Sequence, residues 1–257
     1  MNHKKIVLLG GTGISTSILY NSVNAAHGIG LVILEEKENS KVFIKRRIKR
    51  LGIVTVIGQL TFQVVVSKFL TVFSKKRRLE LIHELKLDLT EIPEEKIRRV
   101  KSVNAPETLA LLQETNPDLI IVNGTRIISK KVISSVACRF VNTHAGITPK
   151  YRGVHGAYWA LANNDPEHCG VTVHFVDEGI DTGTVIAQKK VVPQKKDNFT
   201  TYPLLQLSAG LELLNTAITS YFNKTLTEQK EVTTESKLWY HPTVWFYMYN
   251  RIFKNIK

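Results

Sequence analysis

Apolar residues along this chain fall into short unbroken runs separated by stretches of helical spacing, the pattern of an α/β protein whose strands are covered on both faces. KKIVLLGGTG predicts a buried strand running into a glycine turn, and STSILYNSVNAAHG a helix opened by a Ser or Thr cap. GLVILEE supplies a second strand, so the chain opens β-α-β with a helix N-terminus aimed over the strand ends. Lys37 to Glu84 mixes helical periodicity with basic residues and predicts a mostly helical excursion beside the core. Further on, DLIIVNGTRII reads as a buried strand with a turn at Asn123-Gly124, SKKVISSV as a short helix and RFVNTH as another strand. YWALANNDPEH suits a helix ended by Asn-Asp-Pro, and GVTVHFVDEGIDTGTVIAQKKVVP two strands around an acidic loop from Asp177 to Gly183. Leu204, Leu207, Leu211, Leu214 and Ile218 place an amphipathic helix over Tyr202 to Phe222.

Composition changes this picture little: 257 residues, 43% hydrophobic and 22% charged, are ordinary globular usage and exclude collagen-like, low-complexity and coiled-coil chains. Charge changes it more. The net +13 is concentrated between Lys41 and Arg78, where eleven basic side chains occur with no acidic one, a segment that favours an anionic partner or forms a solvated basic face. Ile53 to Phe73 is the longest apolar region, and Gln59, Gln63 and Lys68 within it argue against a spanning helix. Two cysteines without CxxC spacing and no signal-peptide core lead to the expectation of a cytoplasmic protein. The segment after Asn223 is polar until KLWYHPTVWFYMYNRIFKNIK, whose aromatic residues are expected to pack against the parent domain or a second subunit.

Two segments carry candidate chemistry. GGTGIST is neither a full GxGxxG nor a Walker A sequence. Gly11, Thr12 and Gly13, with the hydroxyls of Ser15 and Thr16, either offer donors to a phosphate or carboxylate at a helix N-terminus or simply make a tight turn. More informative is the pair Asn142 and His144, which alternate on a strand and so share one face, with Thr143 on the other. An amide beside an imidazole suits an oxyanion, and Asp181 in the later loop can hold an imidazolium or take a proton through water.

NTHAGITPKYRGVHGAYWAL, continued by DPEHCGVTVHFVDEGIDTGTVI, closely resembles the signature of the formyltransferases that use 10-formyltetrahydrofolate, over about Asp118 to Gln188. The resemblance implies an α/β, Rossmann-like domain with a mixed, mostly parallel sheet over residues 1–195, followed by a short helical and aromatic C-terminal extension over 196–257. It implies attack of an acceptor amine on the formyl carbon, with Asn142 and His144 stabilising the oxyanion, Asp181 orienting or accepting protons, and no metal. Arg126, Ile127 and Ile128 fall in positions that contact the folate, and Asp177, Gly179 and Ile180 belong to the loop that holds its pterin. Gly11, Thr12, Gly13, Lys150 and Arg152 are the candidates to hold the acceptor.

The resemblance departs from its family after the histidine, where Ala145 and Gly146 stand in place of Pro and Ser on the acceptor side. Only 67 residues follow Lys190 and part of them reads as helix, which speaks against the added β-barrel of the methionyl-tRNA enzymes and hence against tRNA. The expected acceptor is a small anionic amine, the amino group of a nucleotide-linked amino sugar used in cell-surface polysaccharide (lipopolysaccharide) biosynthesis, with glycinamide ribonucleotide as the alternative. A membrane- or RNA-binding protein with a vestigial catalytic module is the contrasting reading. Peripheral membrane contact is disfavoured, and the apolar helix with the aromatic tail suits a homodimer.

Overall fold

The computed structural model describes residues 4–229 and 235–257; Met1–His3 of the basic start and residues 230–234 of the polar stretch after Asn223 lie outside the described residues. The chain runs β1 (Ile6–Gly11), α1 (Ile14–His27), β2 (Leu31–Glu35), α2 (Ser40–Leu51), α3 (Ile53–Thr61), a π-helical turn (Phe62–Val66), α4 (Ser67–Phe73) and α5 (Lys75–Glu84). Then come β3 (Ile97–Val100), α6 (Pro106–Thr115), β4 (Leu119–Asn123), α7 (Lys130–Ile133), β5 (Arg139–His144), β6 (Arg152–Gly153) and α8 (Gly156–Ala162). β7 (Gly170–Phe175), β8 (Val185–Lys190), α9 (Tyr202–Phe222), β9 (Leu238–Trp239) and α10 (Val244–Phe253) complete it.

Seven strands form one sheet in the order β3-β2-β1-β4-β5-β7-β8, parallel from β3 to β5, with β7 antiparallel to both β5 and β8. Period-2 geometry explains why the central strands are apolar throughout. On β1 and β4, Ile6, Leu8, Leu119 and Ile121 enter the core under α1 and α9, while Val7, Leu9, Ile120 and Val122 enter the core under α6 and α7. The strand order reverses between β1 and β4, and the ends of β1, β4 and β5 open on the same edge of the sheet, the place where such sheets receive ligands.

One expectation changes and two gain detail. Helix α1 is capped by Gly13 with no side-chain bond, because Ser15 and Thr16 lie inside its first turn and the Thr16 hydroxyl donates back to the Gly11 carbonyl at 2.7 Å. Residues 196–257 do not stand apart from the rest: α9 puts Leu204, Leu211, Leu214, Ala217 and Ile218 into the main core. The aromatic tail divides, since Tyr247 is buried and Trp239 stacks on Tyr151 and Trp159, whereas Trp245, Tyr249 and Phe253 face outward. The basic excursion is helical as its periodicity predicts, from α2 through α5.

Candidate active site

Strand β5 delivers Asn142 and His144 to the sheet edge on one face, and the Thr143 methyl turns the other way, toward Gly210 of α9. The loop between β7 and β8 brings in Asp181. Its backbone is left-handed at φ 52°, and the Asp177 carboxylate stabilises the turn by accepting from Gly179 N at 3.0 Å and the Thr182 hydroxyl at 2.7 Å. Asp181 is then a hub. Its Oδ2 lies 3.3 Å from His144 Nδ1 and accepts from Gly153 N at 2.9 Å, and its Oδ1 lies 3.5 Å from Asn142 Nδ2.

A fourth polar group, which the sequence pattern does not single out, completes the cluster. Antiparallel pairing sets His174 directly across from Asn142, and its Nε2 is 3.1 Å from Asn142 Nδ2. His174 Nδ1 donates to the Phe175 carbonyl at 2.7 Å, so in the neutral ring Nε2 is an acceptor that aims the Asn142 amide. The available signal was positional: Thr172 and His174 alternate in an apolar run that has to pair with the strand bearing Asn142.

His144 and His174 are buried. His144 Nε2 donates to the Tyr151 carbonyl at 2.7 Å, so a neutral His144 directs the lone pair of Nδ1 at the Asp181 carboxylate. Burial pushes His144 below the ordinary imidazole range, against the pull of Asp181 and the Tyr151 carbonyl. Burial works the other way on Asp181, but the hydrogen bond and positive charge that His174 and His144 supply when protonated, together with the Gly153 N–H, outweigh it and hold the carboxyl below its ordinary range. With His144 neutral, a lone pair faces a carboxylate across 3.3 Å, a gap into which one proton fits.

The sequence pattern described as formyl transferase matches residues 53–206, more than half of the chain and inclusive of all four groups. The chain belongs to the formyl transferase family. It is 35% identical over 125 residues to the methionyl-tRNA formyltransferase of Finegoldia magna, covering 47% of this chain and 39% of that protein, so the chain spans less than half the length of this relative. The fold resembles phosphoribosylglycinamide formyltransferase from Streptococcus pneumoniae, with TM-score 0.55 and 20% identity over 85% of this chain and 99% of that one. It also resembles the N-formyltransferase from Helicobacter canadensis in complex with folinic acid and dTDP-3-aminofucose, with TM-score 0.54 and 16% identity over 91% and 70% of the two chains.

On this formyl transferase framework the other candidate residues fall into three places. The β4–α7 loop and the Asp177–Asp181 loop, which carry the folate candidates, are joined by Lys130 Nζ and Glu178 Oε1 at 2.9 Å. Ile127 is exposed there, whereas Ile128 is buried in the core under α6 and α7. Arg126 is tied inward: its guanidinium donates to Glu35 at 3.0 Å and to the carbonyls of Lys101 and Glu36, both at 2.8 Å. In the glycine loop, Gly11 abuts the Gly124 carbonyl, which a Cβ would approach to 2.3 Å, and Thr12 and Gly13 are exposed. Thr16 is buried and receives the Asn123 amide at 2.9 Å, so its hydroxyl is spent within the protein and is not presented to a ligand. Arg152 donates to the Ile180 carbonyl at 3.0 Å beside Asp181, and its buried Nε has no partner among the described residues. Lys150 instead faces a separate hollow with Tyr151 and Trp239, its ammonium 2.9 Å from Asp165 and 3.1 Å from Glu235.

Proposed function

We propose that the chain moves a formyl group from 10-formyltetrahydrofolate to the amine of a small anionic acceptor, an amino sugar carried on a nucleotide. The convergence of Asn142, His144, His174 and Asp181 at one sheet edge carries this reading. The residues present suit the folate: two loops meet through Lys130 and Glu178, Ile127 exposes an apolar side chain on one of them, and an aimed amide donor lies at the strand end. When bound, the folate supplies a formyl carbon whose oxygen gains charge as an amine adds.

Asn142 Nδ2, held by His174, donates toward that oxygen, and such a donor acts most strongly where water is excluded. The amine must also lose a proton. The His144 Nδ1 and Asp181 Oδ2 pair receives it, because one proton between them converts two facing acceptors into a hydrogen bond, and the pair can return that proton to the departing folate nitrogen as its bond to the formyl carbon breaks. Arg126 holds the ends of β2 and β4 together beneath the β4–α7 loop, and Arg152, donating to the Ile180 carbonyl, fixes the loop that carries Asp181.

The dTDP-3-aminofucose held by the Helicobacter canadensis protein supports this acceptor class, and the likeness to the Streptococcus pneumoniae protein supports glycinamide ribonucleotide as the second reading. Release of tetrahydrofolate, followed by absorbance with amino-sugar nucleotides, glycinamide ribonucleotide and methionyl-tRNA, separates them. A kcat/KM at least about tenfold higher for an amino-sugar nucleotide is the expected result. Preference for the ribonucleotide or the tRNA overturns the acceptor assignment, and turnover of none of the three overturns the reading as a whole.

A further inference from the structure

The stretch from α3 through the π turn to α4 is long and apolar enough to cross a membrane, with mean hydropathy 1.6 over its most apolar window, yet only 22% of that window is buried. Its two faces differ. Val56, Gln59 and Phe62 are buried, and Gln59 bonds both Arg47 and the His241 carbonyl, so this face is fixed to the protein and a path across a bilayer would strip polar groups of their partners. The opposite face presents Val54, Ile57, Val65, Phe69 and Val72, recurring at helical spacing and all exposed, Val72 to 71%.

Helix α10 doubles this surface. Tyr247 and Asn250 face inward, while Trp245, Met248, Tyr249, Ile252 and Phe253 are exposed. The two helices lie side by side: Gly58 leaves room for the Trp245 ring, which a Cβ there would meet at 2.2 Å, and the Phe62 and Tyr247 rings are 4.9 Å apart. At the far end Phe69 and Phe73 share a hollow with Arg251, Lys196 and Lys257. At the near end α2, which buries none of its residues, packs beside α3 and carries Lys41, Lys45, Arg46, Lys49 and Arg50. Cations therefore flank an apolar ridge at both ends.

We infer that the face built by α2, α3–α4 and α10 docks on an anionic membrane surface, with the helices lying in the plane of the interface. An apolar strip for the acyl boundary, Trp and Tyr at headgroup depth and cations for lipid phosphates are the three features such a surface selects. Charge decides against a second copy as the occupant, because two-fold pairing of this face would bring the basic flanks of one chain against those of the other. The inference stands whether or not the acceptor assignment holds. It uses none of the residues placed around Asp181.

The test is flotation of the full chain with vesicles of phosphatidylcholine, alone or with about one-third phosphatidylglycerol. Binding to the anionic vesicles is expected to be at least about tenfold tighter than to the neutral ones, and to weaken in high salt. The double variant Val65→Glu, Val72→Glu, both at exposed positions, is expected to lose that binding while keeping its melting temperature and its rate of folate turnover. Brominated lipids should quench the tryptophan emission of the parent chain, and Trp245→Phe should remove most of the quenching. No flotation, or undiminished flotation of the double variant, overturns the inference. So does a dimer that this variant dissociates in the absence of vesicle binding, or retention on RNA that is indifferent to the double substitution while anionic vesicles do not compete.

Discussion

The edge of the sheet and the outer helices break the usual distribution of polarity in opposite ways. Around β5 and β7, polar and titratable side chains are buried and bonded to one another; on α3–α4 and α10, large apolar side chains stand in solvent. An isolated exposed Val or buried His would be unremarkable, but contiguous clusters of either kind mark sites. The comparison teaches that one chain can set chemistry and docking on separate surfaces, each recognisable by the rule it violates.

The largest expected effect within the outer helices is at Arg77, the member of the basic run that is buried. It pairs with the fully buried Asp197 at 2.8 Å and with Glu84 at 3.1 Å. Arg77→Met should cost about 3–5 kcal/mol of stability by leaving the Asp197 carboxylate unpaired, whereas Lys45→Met on exposed α2 should cost about 0.5 kcal/mol or less, both read by chemical denaturation. Equal effects would erase the distinction between framework and surface cations.

Within the site, Asn142→Ala and His144→Ala should each slow turnover by about 10²–10³-fold with the fold intact, and the double variant should be little worse than either. Asp181→Asn tests the proton gap through pH. Protonated His144 fills the gap, so the rate should fall on the acid side, below the ordinary imidazole range. Without the carboxylate that raises His144, the acid limb should move to still lower pH as the overall rate drops.

His155 and His241, 2.9 Å apart, lie between the two regions. Burial holds His155 down to about 3 and His241 to about 4, while both take up a proton near 6.5 in the unfolded chain. Their neutral forms thus contribute stability that is complete above about pH 6.5 and is lost as pH falls toward 4 and 3, at most about 1.4 kcal/mol per histidine per pH unit. Melting temperatures recorded from pH 7 to 4 should show this decline, and His155→Asn, which tolerates the left-handed backbone there, should flatten it. The smallest effect is expected of Gly58→Ala. The added methyl pushes the outer edge of the Trp245 ring aside while improving helix propensity, so stability should change by less than about 1 kcal/mol while the emission of Trp245 shifts.

How legible these regions were follows from the same physics. Strands β1 and β4 were readable because both of their faces are covered, which leaves continuous apolar runs. Strand β3, with Arg98 and Arg99 exposed between Ile97 and Val100, gave no such run because it is an edge strand. Asn142 and His144 could be paired from their spacing alone, and family likeness linked Asp181 to them. His174 could not be found that way, since its partnership with Asn142 is made only by strand pairing. Likewise the periodicity of α3–α4 predicted helix beside the core without saying which of its faces is covered. The aromatic tail mixed inward and outward residues every second or third position, so its division between core and surface depended on where α10 lands.

The Lys130–Glu178 ion pair that joins the β4–α7 segment to the Asp177–Asp181 loop is largely exposed, at 75% and 61%. A pair so hydrated is weakly held, because water screens both charges. The link between these loops is therefore a soft latch: ambient fluctuation breaks and remakes it, and the spacing of the loops is set by their backbones rather than by the charges that join them.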